Sequence, residues 1–208
     1  MGPFHKRCAD KNGKKLSKAL TGANMDRVKA LNTMIAKRSY RSYLELGIYD
    51  GTTFNAVNCE KKTSVDMSNP ADFRMSTDDF FAINKDQYDI IFIDANHTEP
   101  FLTRDIANSL KILNAGGVII CHDCNPPDEH SQVDANGLYQ TAWKAFAKYR
   151  VTSPYLTYCV PEDCGLGVID TSRPGTVSMI PGIDYAKLVY SDFERHKNHL
   201  IGFSALDA

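Results

Sequence analysis

Two short stretches bring acids and imidazoles together: "DANH", residues 94–97, and "HDCN", residues 122–125. Each closes an apolar run, "YDIIFID" in the first case and "GGVIIC" in the second. A carboxylate at such a place must be solvated or paired, which favours a site role for Asp94 and Asp123. Histidine, with an ordinary pKa of about 6.5, is the natural base for drawing a proton from an attacking hydroxyl. Asp94, His97, His122 and Asp123 are therefore the candidate catalytic residues. Each imidazole also has a plainer reading: His97 as a cap on the helix starting near Thr98, His122 as a backbone partner beside its strand. Asp94, Asp123 and Asn125 form an oxygen-rich set that can hold Mg2+ or a similar divalent ion.

A third stretch, "YLELGIYDGTTF", residues 43–54, passes from an apolar segment into a Gly-x-x-x-Gly bend where a helix should begin. Glycine lets the backbone approach a ligand closely, and the helix start offers unpaired N–H groups. Candidate cofactor contacts here are Glu45, Gly47, Tyr49, Asp50, Gly51, Thr52 and Thr53. Asp66 lies 19 residues beyond Gly47, followed by Met67. A carboxylate there can accept hydrogen bonds from both hydroxyls of a ribose. The bend alone suits an ordinary tight loop; with a strand, a helix and a placed acid it favours a nucleoside cofactor.

A dinucleotide would ask for Gly-x-Gly-x-x-Gly around its pyrophosphate. Tyr49 takes the second glycine's place, and Asp50 would set negative charge beside the phosphates. A phosphate-free cofactor with a zwitterionic end suits the bend better, and S-adenosylmethionine is one. The rival readings are an NAD-linked oxidoreductase of similar topology and a catalytically silent nucleoside-binding module.

These residues need strands to carry them. "SYLELG", "KKTSVDM", "DFRMS", "YDIIFID" and "VIICHD" read as strands, with helices at "TTFNAVNCE", "TDDFFAINKD" and "EPFLTRDIANSLKIL" between them. Phe101, Ile106, Leu110 and Leu113 form the expected apolar side of the last of these, and "NAGG" its stop. "MDRVKALNTMIAKR" precedes them as an amphipathic helix carrying Met25, Val28, Leu31 and Ile35, with Asn24 as N-cap. "CNPPDEHSQVDANG" reads as a long loop able to act as a lid or substrate loop. "LYQTAWKAFAKYR" follows as a helix, with Trp143 and Phe146 read as core. "PYLTYCV" and "LGVIDT" make a hairpin, and one more helix lies near "YAKLVYSDFERHKNHL". Strands alternating with helices imply an α/β fold: a doubly wound, Rossmann-like, mostly parallel seven-stranded sheet with an antiparallel C-terminal hairpin strand. Ligands of such sheets sit beyond the strand ends, at the switch point.

At 208 residues, 43% hydrophobic and 24% charged, the chain has the balance of one globular domain. The expected parts are a basic helical arm or lid over 1–40, a core over 41–172 and a tail with one helix over 173–208. No apolar run reaches the roughly 18 residues of a membrane span. The opening "MGPFHKRCADKNGKK" lacks the apolar core of an export signal, and its sixth residue is neither the Ser nor the Thr of a myristoylation site. The cytoplasm is the default location. Residues 1–41 hold eleven Lys or Arg against Asp10 and Asp26, a net of +9, so the remainder carries −10. Such an arm can bind an anionic substrate or dock on its own acidic body. An acidic body with no base-reading motif argues against nucleic acid. Six cysteines without an export signal read as buried free thiols, ahead of a zinc site at "CHDC" and "CVPEDC".

"YLELGIYDGTTFNAV", "VDM", "STDDFF", "YDIIFIDANHTEPFLTRDIANSLKILNAGGVIICHDCNPP", "AWKAF" and "DCGLGVID" together resemble the class I S-adenosylmethionine-dependent methyltransferases. They are most similar to a small bacterial and phage-type group often associated with glycan biosynthesis. The resemblance spans about residues 40–170. It implies that Glu45, Gly47 and Gly51 frame the methionine end of S-adenosyl-L-methionine and that Asp66 holds the ribose. It further implies that Ser76, Thr77 and Asp78 run along the adenine, with Asp94 beside the methyl donor. The fourth and fifth strands become neighbours, so their four acid and imidazole groups cluster. The implied activity is O-methylation of a small-molecule or sugar-like hydroxyl. Metal-dependent members place ligands at these two strand ends, though Cys124 interrupts their adjacent Asp-Asn pair. "SNPA" is too short for the usual helix between the second and third strands, which leaves the third strand's place open. Oligomeric state is also open, a homo-oligomer being compatible.

Overall fold

The computed structural model describes residues 25–67, 70–132 and 140–206. Most of the expected basic arm, with Asn24, lies outside the described residues. The arm's described helix, α1 (Arg27–Arg38), is capped by Asp26, whose carboxylate accepts from the Lys29 N–H. Its buried stripe is Ala30, Leu31, Met34 and Ile35.

Seven strands form one sheet: β1 (Ser42–Leu46), β2 (Lys61–Asp66), β3 (Phe73–Arg74), β4 (Tyr88–Ile93), β5 (Leu113–Cys121), β6 (Tyr155–Val160) and β7 (Leu166–Pro174). Their order is β3-β2-β1-β4-β5-β7-β6. Neighbours from β3 to β5 pair in parallel, and β7 runs antiparallel between β5 and β6. The doubly wound sheet and its antiparallel hairpin strand are thus as the sequence pattern implied. β3, reached without a helix, sits at the edge beside β2, tied there by Asp72, whose Oδ2 accepts from the Ser64 hydroxyl at 2.7 Å.

The helices between are α2 (Thr52–Ala56), α3 (Thr77–Ile83), α4 (Glu99–Ile112), α5 (Ala142–Thr152) and α6 (Tyr190–Ile201). Alternation along β4 and β5 builds two cores. Ile90, Phe92, Val118 and Ile120 pack under α1, whereas Ile91, Ile93, Ile119 and Cys121 pack under α4 and α5 with Trp143 and Phe146. Trp143 and Phe146 are core residues, as expected.

Several local expectations are corrected. α4 buries Leu102, Asp105, Ile106 and Ser109, leaving Phe101 40% exposed, and Leu113 already belongs to β5. "NAGG" does not end in a loop; it lies inside β5, with Gly116 at φ +78 beside the register shift opposite Tyr88–Ile90. α2 is a single short turn rather than a helix through Glu60. Cys59, Cys121, Cys124 and Cys159 are free thiols, but Cys164 is disulfide-bonded. No helix among the described residues is long and apolar enough to cross a membrane.

Candidate active site

The sheet's period of two carries Glu45 past Tyr43, and His122 past Ile120, onto the face covered by α1. The His122 ring meets Phe92 edge-on at 6.0 Å between centroids. β4 and β5 are parallel neighbours, with Ile93 beside Cys121, so the residues after them converge. His97 Nδ1 lies 2.9 Å from Asp123 Oδ2 and its Nε2 lies 3.1 Å from Asp94 Oδ1. His122 Nδ1 lies 3.1 Å from Asp94 Oδ1 and 3.2 Å from Asp123 Oδ1. The structure therefore brings together all four residues singled out as catalytic. His97 does not cap α4, because the Asn96 carboxamide accepts from Thr98 there.

Two further residues complete the cluster. Arg27, the first residue of α1, directs Nη1 to Asp94 Oδ2 at 2.6 Å. Asp163, in the β6–β7 turn, takes the Arg27 Nε at 3.0 Å and Nη2 at 3.2 Å, and also caps α1 through the Arg27 backbone N–H at 2.6 Å. That turn is strained: Asp163, Cys164 and Gly165 have φ of +47, +66 and +87. A Cβ on Gly165 would lie 2.4 Å from Asn125 Cβ, so the glycine lets the turn press onto the end of β5. Sequence reasoning missed both residues. They lie 136 positions apart, and the only signal for them was the opposite charge of arm and body.

Charge balance explains the ionisation. Burial alone would depress the His97 imidazole, but its contacts with Asp123 and Asp94 outweigh this and raise it to about 10. His122 is raised for the same reason by Asp123 and Asp94. Burial would push Asp94, Asp123 and Asp163 up. His122, His97 and Arg27 instead hold Asp94 well below the usual carboxylate range, with His122 and His97 lowering Asp123 and His122 and Arg27 lowering Asp163. Three carboxylates face one guanidinium and two imidazoliums. Nearby, Glu45 is buried, accepts from the Tyr43 hydroxyl at 2.5 Å and is pushed up to about 8 by burial.

The glycine bend packs directly against this cluster. A Cβ on Gly47, at φ +86, would lie 2.3 Å from the Asp94 carbonyl oxygen and 2.5 Å from Ala95 Cα. Gly51, at φ +78, starts α2, where Thr52 donates its N–H to Asp50 Oδ1 at 2.9 Å. Thr53 lies within that turn. Asp66 Oδ2 accepts from the Ile48 and Tyr49 N–H groups at 2.8 and 3.0 Å, so the acid shapes the bend. Tyr49 and Met67 stand 70% and 75% exposed on either side of it. Ser76 caps α3 through Asp79, Thr77 opens that helix, and Asp78 pairs with Arg104 of α4.

Asp94, His97 and Asp123 offer donor atoms that all lie within 4.8 Å of one another. Both His122 ring nitrogens and Asp123 Oδ1 are buried without a hydrogen bond of good geometry. These residues fit a divalent cation, which would replace the proton shared between imidazole and carboxylates. Asn125 donates its Nδ2 to the Pro161 carbonyl at 3.1 Å, and its Oδ1 is also buried without a hydrogen bond. His122, Asp163 and Cys164 form a second set within the same reach, but the disulfide removes Cys164 as a thiolate donor. Burial raises the Cys121 and Cys124 thiols, against a zinc-thiolate site at "CHDC".

Residues 69–124, which include α3, β4, α4 and the residues Asp94, His97, His122 and Asp123, match a family model described as a methyltransferase domain. No curated protein sequence matches the chain. Among solved structures, it is similar to an O-methyltransferase from Bacillus cereus in complex with SAH, at 14% identity and a TM-score of 0.51 over 73% of this chain and 84% of that one. The SAM complex of the O-methyltransferase TomG from Streptomyces achromogenes matches at 14% identity and TM-score 0.51, over 69% of this chain and 78% of that one. The SAH-bound methyltransferase PaMTH1 of Podospora anserina matches at 17% identity and TM-score 0.55, over 72% and 78%. These likenesses show that the chain shares the fold of those proteins. Its matched segment ends on the acids and imidazoles of the cluster.

Proposed function

We propose that the protein is an S-adenosylmethionine-dependent O-methyltransferase whose reacting centre lies between the glycine bend and the Asp94–His97–His122–Asp123 cluster. One observation carries this: Gly47 packs onto the backbone of Asp94, so cofactor bend and acid–imidazole cluster share one wall at the switch between β1 and β4. S-adenosylmethionine supplies a methyl group on a positively charged sulfur; the protein has to align it with the acceptor, exclude water and manage one proton.

Glu45, Gly47, Tyr49, Asp50, Gly51, Thr52 and Thr53 would line the amino-acid end. Asp66 and Met67 would face the ribose and Ser76–Asp78 the adenine. A ribose at Asp66 would share its carboxylate with the two bend N–H donors. The acceptor is a small-molecule or sugar-like hydroxyl. His97 sits between two carboxylates and is held protonated there, so it orients and stabilises charge until that proton leaves. A divalent ion on Asp94, His97 and Asp123 would take the proton's place and lower the acidity threshold of a bound hydroxyl. The basic arm and acidic body support docking more than substrate capture, since Arg27 and Arg38 of α1 both pair with acids of the body.

Melting curves with S-adenosylhomocysteine test the cofactor, and mass spectrometry of co-purified ligands tests the acceptor class. An unchanged melting temperature at millimolar S-adenosylhomocysteine would overturn the proposal.

A further inference from the structure

Arg27 does more than anchor a helix. Its guanidinium reaches Asp94 Oδ2 at 2.6 Å, on the opposite oxygen from the one facing His97 and His122. Asp163 holds the other side of the fork through Nε and Nη2 and fixes the root of the side chain through the Arg27 N–H. The guanidinium thus has one orientation, and that orientation delivers a positive charge to a carboxylate of the cation-binding set. His122 Nδ1 adds a contact to each of the two acids, 3.1 Å from Asp94 Oδ1 and 3.2 Å from Asp123 Oδ1, though without good hydrogen-bond geometry. We propose that Arg27 is a resident cation of this site: it competes with a divalent ion for Asp94, lowers the site's affinity for that ion, and couples cation occupancy to the seating of the α1 N-terminus.

The inference rests on the reading of Asp94, His97 and Asp123 as a divalent-ion site. A metal ion arriving at Asp94 meets Arg27 within a few ångströms, and like charges at that range repel strongly where solvent is scarce. Either the ion binds weakly or Arg27 swings away, which frees Asp163 of the guanidinium and loosens its added hold on the α1 N-terminus, where Asp26 remains the cap. The rest of α1 keeps its place through its apolar stripe and through Arg38, whose Nη2 lies 2.7 Å from Asp170 Oδ2.

The test is Mn2+ binding to the full chain, read as free Mn2+ by electron paramagnetic resonance, with circular dichroism to confirm folding. Arg27→Met is expected to bind Mn2+ at least about tenfold more tightly than wild type. Asp163→Asn, which unpins the guanidinium without removing it, is expected to tighten binding by a smaller factor. Arg38→Lys loosens the far end of α1 and is expected to leave Mn2+ affinity unchanged. Equal or weaker binding by Arg27→Met, or equal tightening by Arg38→Lys, would overturn the inference while leaving the metal reading intact. Failure of both wild type and Arg27→Met to bind Mn2+ would overturn both.

Discussion

His97 is held by Asp123, with Nδ1 2.9 Å from Oδ2, and this contact turns Nε2 toward Asp94. The pair comes from different strand ends, so the geometry exists only once β4 and β5 are neighbours. His97→Gln and Asp123→Asn are expected to lower kcat by roughly 10²–10⁴-fold, the range of a lost acid–base or orienting group. Both should keep the S-adenosylhomocysteine melting shift. The measurement is product formation from labelled S-adenosylmethionine with the acceptor found by mass spectrometry; full turnover by either variant would remove the cluster from the chemistry.

Gly47 makes a second prediction. Any side chain there must adopt φ +86 and push into the backbone of Asp94 and Ala95, neither of which is a flexible tip. Gly47→Ala should destabilise the fold by about 2 kcal/mol or more and abolish the S-adenosylhomocysteine shift. Gly51→Ala shares the positive φ, but its nearest neighbours among the described residues are the side chains of Asn55 at 3.3 Å and Pro70 at 3.5 Å, so its stability loss should be smaller. Chemical denaturation of the two variants separates them.

Much of this arrangement was legible from the chain because the rule that locates it is topological. β4 and β5 are continuous apolar runs buried on both faces, and whatever follows such strands must converge at their ends. Asp94, His97, His122 and Asp123 were found that way. Arg27 and Asp163 were not, since nothing in local periodicity says which arginine of a basic segment meets which acid of a distant turn. The same limit explains "NAGG": two glycines after a helix ordinarily mark a stop, but here Gly117 lets the strand approach Asp89, where a Cβ would lie 2.7 Å from the carbonyl oxygen. The α4 face was misjudged because its inward side carries Asp105 and Ser109, which an apolar pattern passes over.

Arg38 and Asp170 give a prediction on acid stability. Asp170 is fully buried, and Arg38 grips both its oxygens, at 3.1 and 2.7 Å, with Arg173 Nε adding a contact at 2.8 Å. Burial would raise this carboxyl, but Arg38, Ser172 and Arg173 lower it to about 2. A depressed folded pKa means the contribution is fully present above the unfolded value near 4 and fades as pH falls through about 2. Arg38→Met should cost roughly 2–4 kcal/mol at pH 7, less than a fully orphaned charge because Arg173 remains. Its acid-unfolding midpoint should move to higher pH, and its deficit against wild type should close toward pH 2. A deficit constant down to pH 2 would mean that packing, not charge, is what Arg38 supplies.

Asp105 behaves in the opposite sense. It is buried on α4, its Oδ2 lacks a partner, and burial raises its carboxyl to about 6 against the opposing hydrogen bond with Thr77. A folded pKa above the unfolded one favours the neutral form, so stability is greatest below about pH 4 and is lost as pH rises through 6. The shift of about two units corresponds to at most about 3 kcal/mol. Asp105→Asn preserves the shape and a bond to Thr77 without the buried charge. It should match wild type near pH 4 and exceed it by about 1–3 kcal/mol above pH 7, read from urea unfolding at a series of pH values. An Asn variant that is equally unstable at every pH would show that Asp105 is paired in the folded protein and that its charge carries no penalty.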